Sequence, residues 1–154
     1  MNLNIGFVGI SHLGLNSAAA AAQRNFNIVC YDNNEDLIKN LNNGINNVKE
    51  PDLDDILKRK KKKILFTSRI NDLLNSDIIY VSGDIPTDNK GVSQFNEIKS
   101  ILETLSKVIV TGTVLVILSQ IPPGFTRSIK TLFKNKVIIY YQVETLIFGK
   151  AIKR

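Results

Sequence analysis

The sequence predicts a doubly wound α/β domain on a mainly parallel six-stranded sheet. Short apolar runs alternate along the chain with longer segments of helical spacing. Those runs are apolar throughout, as in strands covered on both faces, and their alternation with helices implies right-handed crossovers between parallel strands. The first run also ends in a glycine loop that opens an alanine-rich segment.

Leu3 to Val8 reads as the first strand, ended by Gly9, and Leu13 to Gln23, with Ala18 to Ala22 consecutive, as a helix lying close on a sheet. Phe26 to Tyr31 is the second strand, with Asp32 at its end. Asn34 caps a helix from Glu35 to about Asn42, which Asn43-Gly44 stops. Pro51 to Leu57 starts a helix whose last turn runs into Lys58 to Lys63. Ile64 to Thr67 is the third strand, Ile70 to Leu74 a short helical segment and Ile78 to Ser82 the fourth strand. Ser93 is the expected cap of a long helix reaching about Lys107. Thr113 to Ser119, a helix from about Thr126 to Phe133, and Val137 to Tyr141 complete the pattern.

With 154 residues, 44% of them hydrophobic and 22% charged, residues 1–154 are expected to form one domain. Lys and Arg number 20 against 14 Asp and Glu. The excess equals the basic run from Lys58 to Lys63, and the rest of the chain balances. Nucleic-acid binders usually spread their cations over a face, and no aromatic interrupts this run to stack on bases, so nucleic acid is not the expected partner. The run reads as the solvated end of a helix, where cations suit the dipole. Cys30 is the single cysteine. There is no apolar stretch of membrane-spanning length, and Met1-Asn2-Leu3-Asn4 lacks the features of a signal peptide. A reduced, cytoplasmic setting away from membranes is expected. His12 is the only histidine and has no cysteine cluster beside it in sequence, so no metal site is expected.

The turn after the first strand is Gly9-Ile10-Ser11-His12-Leu13-Gly14. A dinucleotide-binding (Rossmann) fingerprint reads G-x-G-x-x-G: one glycine for the turn, one for approach of the pyrophosphate, one for packing of helix on strand. Gly9 and Gly14 hold the first and third places and Ser11 the second, where its Cβ and hydroxyl take up space beside the pyrophosphate. Asp32, 18 residues after Gly14, is the acidic residue expected to accept the ribose hydroxyls. Its charge repels a ribose phosphate and favours NAD over NADP.

Four further segments carry a resemblance. Glu50-Pro51-Asp52-Leu53 is similar to an E-P-G-L motif, and Pro86-Thr87-Asp88 to the end of G-T-P-T-D. Ser119 to Thr126 is similar to S-T-V-P-P-G-T-T, and Glu144 with Gly149 to Ile152 to P-E-F-L-R-E-G-x-A-I. In this order, over residues 3 to 152, the chain resembles the N-terminal NAD-binding domain of the UDP-glucose and GDP-mannose 6-dehydrogenase family. The resemblance implies NAD as cofactor, contacts at Gly9, Ile10, Ser11, His12, Leu13, Gly14, Asp32, Pro86, Thr87 and Ser119, and a catalytic role for Glu144 beside ordered water. The family oxidises a nucleotide sugar's primary alcohol to a carboxylate with a cysteine, a lysine and an aspartate from later sequence, beyond a central helix. Cys30 does not match that cysteine and reads as a core thiol.

Departures fall at polar contacts. Leu37 replaces a basic residue, Ile85 and Gln120 replace threonines, Phe148 replaces a glutamate and Val143 a proline. Without nucleophile and sugar pocket, Glu144 reads alternatively as a surface residue in the first turn of a short helix. The leading expectation is a truncated or degenerate family domain, lacking the central helix and C-terminal sugar-binding domain, that at best binds NAD. The alternative is an interaction module that has lost its cofactor and dimerises or docks on a full-length paralogue. Nucleic-acid binding through Lys58 to Lys63 ranks below both.

Overall fold

The computed structural model describes residues 3–134 and 136–153, so Met1 and Asn2 of the expected non-signal start lie outside the described residues. Six strands, β1 (Asn4–Val8), β2 (Asn27–Tyr31), β3 (Ile64–Thr67), β4 (Ile78–Val81), β5 (Val114–Ile117) and β6 (Ile138–Tyr141), form one sheet in the order β3-β2-β1-β4-β5-β6. Every neighbouring pair is parallel. At the centre Ile5 stands beside Ile28 on one side and Ile78 on the other. The order reverses between β1 and β4, which opens a crevice at their carboxyl ends, where ligands of such sheets bind.

Five helices cover the sheet: α1 (His12–Gln23), α2 (Glu35–Asn42), α3 (Leu53–Arg59), α4 (Asn96–Val108) and α5 (Phe125–Ile129). One apolar layer joins Leu15, Ala18, Ala19 and Ala22 of α1 to Phe7, Ile28, Cys30, Leu41, Leu53 and Ile56. The alanines are fully buried. Their short side chains let α1 lie close on the central strands. The opposite layer joins Ile98, Leu102 and Leu105 of α4 and Phe125, Ile129 and Phe133 to Val81, Leu115 and Ile117. Connections on either side of the reversal thus put helices on opposite faces, which is the double winding the sequence predicts.

Local chemistry explains most boundaries. The Asn34 side chain accepts the Leu37 amide and starts α2, and Gly44, at φ +77°, follows its end. Several boundaries shift by a residue or two, and three departures from expectation stand out. Ser93 does not cap α4; it bridges to Thr87, and α4 begins at Asn96 without a side-chain cap. The basic run is divided: α3 ends at Arg59, and Lys61–Lys63 form a separate 3-10 turn into β3. Finally, α5 is short, because Lys130 to Lys134 leave the helix as turns and Lys134 adopts φ +48°. The strands also differ at the edge, for β6 is largely exposed, with Tyr140 and Tyr141 facing solvent rather than the core.

Cys30 sits fully buried in β2, and burial pushes its thiol far above the ordinary value of 9.0. The native chain is therefore expected to resist a disulfide reagent at pH 8 and to react fully once unfolded in urea. Because only the unfolded chain releases this proton above pH 9.0, stability is complete below that value and declines as pH rises past it. Urea titrations at pH 8 and pH 10, with a Cys30→Ala control, measure that loss.

Candidate functional site

The carboxyl ends of β1 and β4 are tied together by their own loops. Gly9 leaves β1 at φ +84°, and a Cβ built there would stand 2.6 Å from Cα and N of Gly83. Only glycine meets both the backbone conformation and the approach of the β4 loop. The buried Ser82 hydroxyl donates to the Gly9 carbonyl at 2.8 Å and closes the seam from below. A Cβ on Gly14 would collide with the Gly9 carbonyl oxygen and come within 2.6 Å of Ser82 Oγ. Gly9 and Gly14 thus have the turn and packing duties that the fingerprint assigns them.

Ser11 resolves differently from its sequence reading. Its backbone is extended, at φ −72° and ψ −179°, so this loop does not require glycine there. Its hydroxyl is turned inward, donating to the Ser82 carbonyl at 2.7 Å and accepting from the Gly14 amide at 3.3 Å. Ser11 is the N-cap of α1. The amides of His12 and Leu13 precede the first intrahelical bond, Leu15 N–H to the Ser11 carbonyl, and remain available to an anion at the positive end of the helix.

Asp32 is fixed from two sides. One carboxylate oxygen accepts the Ile10 amide at 2.7 Å and the other the Asn34 amide at 2.9 Å, so the end of β2 is locked to the glycine loop. A carboxylate retains acceptor capacity beyond two such bonds. Beside it, burial and then the Asp32 charge push the Tyr31 phenol above its ordinary value, so Tyr31 adds no charge.

Two adjoining cavities extend from this seam and share Gly83 and Asp84. The first, of about 420 Å³, includes Gly9, Ile10, Ser11, Asp32, Leu37 and Pro86 in its wall. The second, of about 340 Å³, includes His12, Leu13, Ser119, Gln120, Glu144 and Phe148. Gly14 lies buried under the loop, and Thr87, exposed in its bridge to Ser93, lines neither cavity. The remaining sequence-derived site residues are gathered into one cleft. Its residues fit a dinucleotide at the first end, where a glycine cradle, the first amides of α1 and the Asp32 carboxylate coincide. The Ile85, Gln120 and Phe148 departures all line the second end.

Several polar groups are already engaged. The Ser119 hydroxyl donates to the Gly83 carbonyl at 2.6 Å, joining the end of β5 to the β4 loop. Glu144 lies in irregular chain rather than in the expected helix, and its carboxylate accepts the Leu146 amide. Cys30, buried in β2, does not line the cleft that contains Glu144. Among the described residues, no cluster of three or more His, Cys, Asp or Glu could hold a metal ion, and no helix is long and apolar enough to cross a membrane.

Sequence reasoning missed Gly83, Asp84, Glu97 and the role of Glu50. The Glu50 side chain is buried, and its Oε1 stands 3.1 Å from His12 Nε2 and accepts the Gly149 amide at 2.9 Å. The Phe148 ring lies 4.7 Å from that of His12. Glu50 therefore ties the segment around Gly149 to the start of α1. The signal was its place in the E-P-G-L-like motif, which gave no partner. The Lys run lies elsewhere: Lys63 donates to Asn27 at the amino end of β2, opposite the cleft.

Known proteins agree with this geometry. UDP-N-acetyl-D-mannosamine dehydrogenase of Pyrococcus horikoshii is 27% identical over 135 residues, covering 86% of this chain and 32% of that protein. UDP-glucose 6-dehydrogenase of Rickettsia typhi is 29% identical, covering 87% and 32%. The solved structure of the P. horikoshii UDP-D-ManNAc dehydrogenase superposes with a TM-score of 0.89 at 25% identity, over 98% of this chain and 38% of that one. GDP-mannose dehydrogenase of Pseudomonas aeruginosa shares the fold, with a TM-score of 0.84 at 18% identity over 97% and 38%. The chain thus spans about a third of the length of these relatives. Residues 3–151 match the model of the UDP-glucose/GDP-mannose dehydrogenase family, NAD binding domain, and the chain belongs to that family, whose cofactor in this domain is NAD.

Proposed function

We propose that residues 1–154 act as a single NAD-binding domain and do not oxidise a nucleotide sugar by themselves. The observation that carries the reading is Asp32, held by the Ile10 amide at the end of β2, beside the free first amides of α1. That juxtaposition supports Asp32 as the ribose acceptor beside a helix end suited to an anion. The cofactor contacts proposed are Gly9, Ile10, Ser11, His12, Leu13, Gly14, Asp32, Pro86 and Ser119. Thr87 is proposed only as a support of the loop. The second carboxylate of interest, Glu144, has no cysteine beside it, because the chain's one cysteine, Cys30, is buried in β2 and does not line that cavity. The working compartment proposed is the cytoplasm, in keeping with a lone reduced thiol.

Isothermal titration should show heat with NAD and none with NADP at the same millimolar concentration. Assays with UDP-glucose, UDP-N-acetylsugars or GDP-mannose should show no NADH formation. Absence of heat with NAD removes the binding claim, and turnover by this chain alone removes the other.

A second reading rests on β6. Ile138 and Tyr140 are each 55% exposed and continue into exposed Tyr141, Val143, Ile147 and Phe148. An apolar, unpaired edge invites another surface. A second copy or a full-length paralogue would cover it, and sedimentation as a monomer at high concentration argues against the second copy.

A further inference from the structure

The wall of the cleft is unbalanced in charge. Asp32, Asp84 and Glu97 line the first cavity and Asp84 and Glu144 the second, whereas among the described residues no Lys or Arg lines either. Leu37, in the first wall, stands where the family pattern has its cation. Of these carboxylates Asp84 has the most consequential place. It belongs to both cavities and follows Gly83, the residue packed against Gly9 of the phosphate loop. It is exposed and has no hydrogen bond or ion pair among the described residues. Asp32, by contrast, is engaged by two amides, and Glu144 by one.

Any ligand spanning both cavities must carry its linker past Gly83 and Asp84. The linker of a dinucleotide is a pyrophosphate with two negative charges. The first amides of α1 attract it, and the exposed Asp84 carboxylate at the seam repels it, with solvent screening part of the effect. A nucleoside filling the first cavity alone meets Asp32 as ribose acceptor and incurs no such repulsion. We propose that Asp84 is a specificity-determining residue that disfavours the anionic linker, so that this cleft prefers an uncharged adenine nucleoside to a dinucleotide. The proposal rests on the NAD reading above and assigns the cleft a ligand preference of its own.

The test is calorimetric titration of the wild-type chain and Asp84→Asn with adenosine, AMP and NAD at two salt concentrations, after thermal melting has shown both folded. The wild type should bind adenosine more tightly than NAD, with AMP between them. Asp84→Asn should raise NAD affinity about 5-fold, the scale for removing one partly solvated charge facing two, and leave adenosine within about 2-fold. Added salt should strengthen NAD binding to the wild type, because screening weakens repulsion, and do so less in the variant. NAD affinity that is unchanged in Asp84→Asn, or that weakens with salt, overturns the proposal and leaves the NAD reading standing. Failure of both proteins to bind either adenosine or NAD overturns both.

Discussion

Gly9→Ala is expected to lower the unfolding free energy by about 3 kcal/mol or more and to abolish cofactor binding. Two costs combine. A residue with a Cβ at φ +84° is strained by roughly 1–2 kcal/mol. The new carbon also meets Cα and N of Gly83 at 2.6 Å, and these are backbone atoms that cannot rotate away. Forcing an atom into such a seam costs about 1–3 kcal/mol more. Relief requires the β1 and β4 loops to part, which breaks the Ser82 bond to the Gly9 carbonyl and opens the crevice floor. Gly83→Ala is the control, because a Cβ there approaches nothing closer than 3.9 Å, at Gly9 Cα. Urea unfolding should place Gly9→Ala well below the wild type and Gly83→Ala within about 1 kcal/mol of it.

The second large effect is on the ligand. Asp32→Ala removes the acceptor for the Ile10 and Asn34 amides and should destabilise the fold by about 2 kcal/mol, the scale of a hydrogen bond to a charged group. NAD affinity should fall by at least about 10-fold, because the ribose loses its acceptor and the loop its anchor. Asp32→Asn separates these contributions. It retains one oxygen for an amide, so stability should recover in part while NAD affinity stays low. Discrimination against NADP should also narrow, since the charge that repels the ribose phosphate is gone. Titration of the three proteins with both cofactors, alongside urea unfolding, gives both readouts.

The fold was legible because its signals are local. Buried parallel strands advertise themselves as unbroken apolar runs, Ala18 to Ala22 allow only a close-packed helix, and Asn34 with Gly44 bounds α2. Edges were less legible, since Ile138 to Tyr141 carries the same apolar pattern as a central strand although one side lacks a neighbour. Ser93 looked like a cap because it precedes a helical pattern, but a polar residue near a helix start can bond across a loop instead.

The site divides the same way. Gly9, Gly14 and Asp32 were readable from spacing, because the turn dictates their residue types. The inward hydroxyl of Ser11, the tie from Glu50 to His12 and the exposed Asp84 depend on which loops meet across the sheet, and Ser82 lies 71 residues from Ser11. No local pattern encodes those meetings. They also changed the reading of the departures. Leu37 is not an isolated loss, since among the described residues it leaves a cleft without a Lys or Arg in its wall.

NAD is expected to lie across the crevice between β1 and β4. Amide chemical-shift mapping of the labelled chain during titration with NAD tests it most directly. Shifts are expected to concentrate at Gly9 to Gly14, Asp32 to Leu37 and Gly83 to Ile85, with none at Lys58 to Lys63. An unchanged spectrum at millimolar NAD, or shifts gathered on the lysine run, would contradict it.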